Sequence, residues 1–506
     1  MTKNKQLVIN MAASFIAYAV TFGISFFLSP YIVKNVGVDA YGFVGLANNF
    51  ISYAGLITIA LNSMAGRFVT VKIHEKDTDG ANRYFSSVFI ANLLITAFMG
   101  VIFVILLVFL EHLINIPSNI FWDVKLLFGA LFLNCLIGTI GSVFSIATFA
   151  TNKLYLQSLR TIESNIIRAV IILALFIFLA PKVSFLGVTS LLCGIYVLAY
   201  NIYYTKKLLP QLKINRKHFD FKSIIELVSS GVWNLINRVG QLLLDGLDLL
   251  ITNLFINPAA MGILSLSKTV PSIITSIVGS MVGVFSPNFT ILYAEKKTDE
   301  LLASVKQSMK IMGVIANLPI IVLIVCGDLF FSLWQPTQDA TQLHILSLLA
   351  CGTIIFSGGI NCIYNIFTVV NKLKLNSLVV IASGLINAAV VFILLKTTNL
   401  GIYAVAGVST VLSILRNLLF TAPYGAHCLK IKWYAFYPAI LRPVIFVLLS
   451  SVIGVIIRYI INFSGWFGLF ACAITSIIIS VLIGLFIMLN KSERKIILSK
   501  LKRGEN

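Results

Sequence analysis

Six polar residues run through an otherwise apolar stretch. Asn234, Arg238, Gln241, Asp245, Asp248 and Thr252 follow one another at intervals of 4, 3, 4, 3 and 4, the spacing of a single helix face. A guanidinium binds planar oxyanions in a bidentate fork, carboxylates balance charge or hold cations, and amides and hydroxyls recognise hydroxyl-rich groups. An ionised side chain in hydrocarbon costs about 2.5–3.5 kcal/mol on insertion scales, so such a face must meet water, a polar neighbour or a ligand. A cavity lining is the functional reading. The structural alternative is a buried network in which Arg238 is neutralised by Asp245 through Gln241, because seven residues span about 10 Å along a helix.

Weaker versions of the pattern occur elsewhere. Gln157, Thr161, Ser164 and Arg168 share a face, with Glu163 beside them, and beyond Arg168 the segment is apolar as far as Pro181. Asn10, Ser14, Tyr18, Thr21 and Ser25 form an uncharged stripe, and Asn48, Asn49, Ser52, Asn62 and Ser63 lead to Arg67. Lys268 stands three residues before Pro271, which is expected to kink its helix. Arg416 follows Ser409 and Ser413. Arg442 is placed to snorkel, and Gly279 and Gly283 read as packing. If Arg168, Arg238, Lys268 and Arg416 converge, they form a positive cavity suited to an anionic cargo, with phosphate or pyrophosphate the natural partner of arginine.

The elements that must carry these residues follow from composition. Of 506 residues, 58% are hydrophobic and only 11% charged, against about 25% charged in soluble domains. Fourteen membrane helices of ~20 residues would use ~280 residues, close to the apolar total. The expected fold is an all-α polytopic membrane protein. Its segments fall near 7–33, 41–66, 84–110, 124–151, 157–180, 184–205, 223–256, 259–292, 311–334, 343–370, 375–395, 401–428, 436–461 and 465–489. The basic start and first apolar run are read as a first span, since the run is too long for a signal peptide.

Charge orients the chain. There are 38 Lys and Arg against 18 Asp and Glu. Lys34, Lys125, Lys182, Lys396 and Arg458 fall at one side, while Arg168, Arg238, Lys268, Arg416 and Arg442 lie within spans. The remainder sit on the side of both termini, which the positive-inside rule makes cytoplasmic. Clusters such as Lys206, Lys207, Lys213, Arg216 and Lys217 are then solvated, lipid-facing rims, and no nucleic-acid partner is implied. The seven cysteines are scattered without metal-ligand spacing and read as small core residues, neither a disulfide framework nor a metal site.

A shift of 220 residues aligns Ala40-Tyr41-Gly42 with Ala260-Met261-Gly262, and Leu46, Ser52, Ile57 and Thr70 with Leu266, Ser272, Ile277 and Thr290. Such a parallel repeat implies a six-helix lobe over 1–205, a basic cytoplasmic linker over 206–222 and a second six-helix lobe over 223–429. Two additional helices at 430–490 and a basic tail at 491–506 would complete the chain. Parallel repeats of this kind are a transporter architecture. The longest connectors, 206–222 and 293–310 inside and 111–123 outside, leave little from which to build an external active site. No P-loop, HExxH or GxSxG context is present, so an enzyme is not expected.

The chain resembles the multidrug/oligosaccharidyl-lipid/polysaccharide flippase superfamily, and within it the Wzx-type repeat-unit flippases of the polysaccharide transporter family. The strings that carry the resemblance are Phe26-Phe27-Leu28-Ser29-Pro30-Tyr31-Ile32-Val33, Gly37-Val38-Asp39-Ala40-Tyr41-Gly42, Asn62-Ser63, Arg67-Phe68, Asp248-Leu249-Leu250-Ile251 and Ala260-Met261-Gly262-Ile263. Met261 stands where an aromatic is expected. The resemblance implies translocation of an undecaprenyl-pyrophosphate-linked oligosaccharide from inner to outer leaflet of a bacterial cytoplasmic membrane by alternating access. It would serve O-antigen, capsule or exopolysaccharide assembly, with a polymerase and chain-length regulators as partners. Arg168, Arg238, Lys268 and Arg416, with Gln241 and Asn234, would hold the pyrophosphate and adjacent sugar. Asp245, Asp248 and Glu163 would balance the cavity or couple a proton or sodium ion; no cofactor is implied. In related lipid-carrier flippases the last two helices hold the polyprenyl tail, a role that would fall here to 436–461 and 465–489. A lipid-linked peptidoglycan precursor flippase and a multidrug or toxin exporter of the same superfamily are the alternatives.

Overall fold

A computed structural model describes residues 3–370, 372–461 and 463–488, and every regular element among them is helical. Among the described residues, twelve helices are long and apolar enough to cross a membrane, or thirteen if one bent pair counts as a single span. The segment expected over 223–256 does not meet that measure, because its polar face lowers its hydropathy and it is broken midway. The basic tail at 491–506 lies outside the described residues.

The chain divides into two compact units. The first comprises residues 1–242 and 246–262, and the second comprises 243–245 and 263–506. In the first unit run α1 (Lys3–Val36), α2 (Val38–His74), α3 (Thr78–Val108), α4 (Phe121–Gly141), α5 (Tyr155–Phe178), α6 (Ser184–Leu208), α7 (Phe221–Gln241) and α8 (Asp248–Phe255). Caps set several of the helix starts. Asp77 accepts from Gly80 N–H at 2.8 Å, and the carboxylate of Asp123 takes the free N–H groups of Val183 and Ser184 at 2.7 and 2.9 Å. Gly37, at φ 89°, turns the chain between α1 and α2.

Helix α7 lies along α2 so closely that a β-carbon on Gly231 would fall 2.0 Å from the carbonyl oxygen of Ala60. Both helices belong to the first unit. Leu61, Val69, Phe85, Val88, Val143, Leu209, Leu212 and Leu227 form a core of this unit.

In the second unit, α9 (Pro258–Ser267) enters from the first and is followed by α10 (Thr269–Ala294), α11 (Thr298–Trp334), α12 (Ala340–Val369), α13 (Leu373–Thr397), α14 (Ile402–Arg416), α15 (Ala422–Cys428), α16 (Tyr437–Ile460) and α17 (Gly465–Ile487). Between α9 and α10 the axis bends by 41° at Lys268. The expected cause is present: Pro271 has no N–H for the Ser267 carbonyl, which accepts instead from Ser347 Oγ at 2.7 Å.

Helices α16 and α17 pack on α11 around Ile321, Val325, Phe446, Val447 and Leu469. The cysteines depart from expectation here. Cys326 of α11 and Cys472 of α17 form a disulfide, with Cα atoms 6.7 Å apart. Residues 146 apart in sequence meet only through packing, so spacing alone could not reveal the pair. Arg458 of α16 adds a two-pronged ion pair to Asp328 of α11, one arm at 2.6 Å.

Candidate functional site

The polar face expected along 234–252 is interrupted. After Gln241 the helix opens into a π turn over Leu242–Gly246, and α8 starts at Asp248. A π turn carries more than 3.6 residues per turn, so it rotates everything beyond it about the axis. Arg238, Gln241 and Asp245 are therefore exposed, while Asp248 and Thr252 are buried. The side chain of Asn234 lies outside the described residues, as does that of Arg67.

In the first unit, Arg238 Nη1 donates to Gln241 Oε1 at 3.5 Å, one turn along the same face. The Gly246 carbonyl, released by the break, accepts from Asn49 Nδ2 at 3.0 Å and from Tyr53 OH at 2.5 Å, both on α2. Asp248 lies within electrostatic reach of the same Tyr53. Asp248 is thus built into the first unit beside α2, at the point where the broken helix resumes.

Arg168 is half-buried on α5. The Tyr41 hydroxyl and the Cys193 thiol are within its electrostatic reach, and its Nε has no hydrogen-bond partner among the described residues. Ser29 Oγ donates to Tyr41 OH at 3.1 Å, so Arg168 faces a corner made by α1, α2 and α6. Glu163 does not serve Arg168. It pairs with Arg160 at 2.5 Å and accepts from Tyr196, while the Arg160 guanidinium lies 4.3 Å from the Tyr200 ring centre. Three residues of the stripe on α1 meet α5 and the turn before it, while Tyr18 is exposed. Asn10 donates to Asn152 at 3.0 Å, Ser14 meets Ser158 at 3.1 Å, and Asn165 donates to Thr21 at 3.0 Å.

In the second unit, three expected residues come together. Asp245 lies within electrostatic reach of Lys268 and Arg416, and Lys268 Nζ donates to the Asp245 carbonyl at 3.3 Å. The neighbouring Leu244 carbonyl accepts from Asn387 Nδ2 at 2.9 Å. Arg416 ends α14, where a second π turn, Asn417–Thr421, begins. Arg416 Nη2 donates to Tyr364 OH at 3.3 Å, and that hydroxyl donates to Asn417 Oδ1 at 2.9 Å. Arg416 Nε and Asn417 Nδ2 are buried with no hydrogen-bond partner among the described residues.

Lys268 and Arg416 both act on the Asp245 carboxylate, and the buried Nε of Arg416 has no hydrogen-bond partner among the described residues. Such an arrangement accepts an anionic oxygen cluster readily and a cationic drug poorly. Tyr41, Tyr53, Tyr364, Asn387 and Asn417 were not singled out from the sequence. Tyr41 alone carried a signal, as part of the Ala40-Tyr41-Gly42 string. Among the described residues no group of three or more His, Cys, Asp or Glu is placed to hold a metal ion.

Comparison with known proteins supplies the family. A model of the family described as polysaccharide biosynthesis protein matches residues 7–293. The chain belongs to that family. A relative from Bacillus subtilis (strain 168), the uncharacterized membrane protein EpsK, is 26% identical over 502 residues, covering 98% of both chains. Among solved structures, an inward-facing multidrug-resistance transporter of the MATE family aligns with TM-score 0.69 at 12% identity, over 84% of this chain and 98% of its own. The lipid II flippase MurJ, inward closed, aligns with TM-score 0.65 at 15% identity, over 95% of this chain and 98% of its own. This family member thus shares its fold with both transporters. It is a multi-pass membrane protein of polysaccharide biosynthesis.

Proposed function

We propose that the protein is a flippase that moves undecaprenyl-pyrophosphate-linked oligosaccharide repeat units from the inner to the outer leaflet of a bacterial cytoplasmic membrane by alternating access. The observation that carries this reading is the gathering of Lys268 and Arg416 about Asp245, with the Nε of Arg416 buried and unmet among the described residues. A basic site of this kind suits a pyrophosphate. Arg168 and Arg238 supply further cations in the first unit, and exposed Gln241 is suited to sugar hydroxyls. Asp245 balances charge when the site is empty. The protein acts as a transporter, not an enzyme. Both termini are cytoplasmic on the distribution of Lys and Arg. The product would pass to a polymerase that builds O-antigen, capsule or exopolysaccharide.

The MurJ-like fold over 95% of the chain favours a second reading, flipping of a lipid-linked peptidoglycan precursor. Deleting the gene separates the two. Loss of surface polysaccharide with accumulation of completed lipid-linked repeat units supports the first reading. Accumulated peptidoglycan precursor supports the second. Unchanged carrier pools with new sensitivity to cationic drugs would overturn both in favour of an exporter.

A further inference from the structure

The connector between α6 and α7 carries a feature that the transport reading does not use. Residues 206–222 hold six basic side chains and one acid, Asp220, yet the segment is fixed and not a loose tether. Asn82 Oδ1 accepts from Lys213 N–H at 2.8 Å, Ser86 Oγ donates to Lys213 O and accepts from Asn215 N–H at 3.2 Å each, and Ser87 Oγ accepts from Asp220 N–H at 2.9 Å. These bonds strap its backbone across α3. Leu209 and Leu212 are buried in the core of the first unit. The one acid is spent on α7, accepting from Lys222 N–H, Ser223 N–H and Ser223 Oγ. The basic side chains Lys206, Lys207, Lys213, Arg216 and Lys217 are exposed, and so are Ile214 and Phe221, at 40% and 64%.

We propose that this strap is a binding surface for the headgroups of anionic phospholipids. It follows the membrane-spanning helix α6 directly, so its height is that of the bilayer surface. Exposed Ile214 and Phe221 among fixed cations fit an interface where hydrocarbon begins beneath a layer of phosphates. A soluble polyanion would need the charge and not the apolar residues. The 220-residue shift carries the strap onto 426–442, in the second unit. There Lys430 and Lys432 accompany exposed Trp433 and Tyr434, at 63% and 48%, so the combination of cations and exposed rings recurs in the second copy. Anchoring the strap to headgroups would hold the start of α7 at a set depth.

The test uses the full chain in phosphatidylcholine vesicles containing trace photoreactive phosphatidylglycerol or photoreactive phosphatidylcholine, with labelled peptides mapped by mass spectrometry. The phosphatidylglycerol probe should label 203–222 preferentially, and raising salt from 0.1 to 1 M should suppress that labelling. Each neutralised cation weakens such binding by about fivefold, so replacing Lys206, Lys207, Lys213, Arg216 and Lys217 with Gln should reduce labelling more than tenfold. Replacing the four lysines with Arg keeps the charge and should preserve it, which separates lost binding from lost folding. Equal labelling by both probes, labelling indifferent to salt and to Gln, or full competition by millimolar inorganic phosphate would each overturn the proposal.

Discussion

A β-carbon on Gly42 would lie 2.8 Å from the Cα of Gly262, and these two glycines occupy equivalent places in the 220-residue repeat. The approach is backbone to backbone, so no flexible side chain can yield. In the other direction, a β-carbon on Gly262 would fall 2.3 Å from the Val38 carbonyl oxygen.

Gly262→Ala is therefore expected to destabilise the protein by about 1–3 kcal/mol, the usual cost of overpacking. Gly279 is the control, because a β-carbon there meets nothing within 4 Å. Gly279→Ala should leave stability unchanged or raise it slightly through helix propensity. Thermal unfolding of the two variants in one detergent decides the matter. Equal losses would mean that the close approach is not the cause.

Arg238 offers a test of transport that barely touches folding. It is exposed and its contact is a long one to Gln241, so Arg238→Ala should change stability by no more than about 0.5 kcal/mol. Export of lipid-linked units should nevertheless fail, and Arg238→Lys should retain part of it if charge alone matters. Normal surface polysaccharide in the Ala variant, at wild-type protein level in the membrane, would remove Arg238 from the site.

The Asp245, Lys268 and Arg416 group makes a prediction of sign. Asp245→Asn removes the carboxylate that competes with an anionic ligand, so a pyrophosphate-bearing lipid analogue should bind several-fold more tightly. Lys268→Gln and Arg416→Gln should each weaken the same binding several-fold. Equilibrium binding to the purified chain at fixed ionic strength reads all three. If Asn and Gln replacements move affinity in the same direction, the group is a structural network and not an anion site.

Physical reasons separate what could be read in the sequence from what could not. Pro271 beside Lys268 was legible as a bend, because a missing N–H is a property of one residue. The apolar runs were legible as spans for the same local reason. The face from Asn234 to Thr252 was legible as polar, but not its rupture: a π turn changes which carbonyl each N–H meets and leaves no trace in composition. The stripe on α1 was visible, yet whether Asn10, Ser14 and Thr21 face a cavity or a neighbouring helix depends on α5. Asn152, Ser158 and Asn165 settle that as a helix contact. Glu163 likewise answers to Arg160 and Tyr196 instead of Arg168.

The cap at the start of α7 carries a pH dependence that can be isolated. Asp220 accepts from the Ser223 hydroxyl at 2.7 Å and from two backbone N–H groups, and these bonds hold its carboxyl below the usual carboxylate range. A carboxyl depressed on folding stabilises the folded state fully above its unfolded value, near 3.9. That contribution is lost as pH falls through the lower, folded value. The amides of 213–225 should thus lose protection on acidification below about pH 4, as read by hydrogen exchange corrected for intrinsic rates. Asp220→Asn keeps a good cap without a titrating proton. In that variant the same amides should be protected similarly at neutral pH and should not respond to acid in this window. If the Asn variant loses protection along the wild-type curve, some group other than Asp220 controls the start of α7.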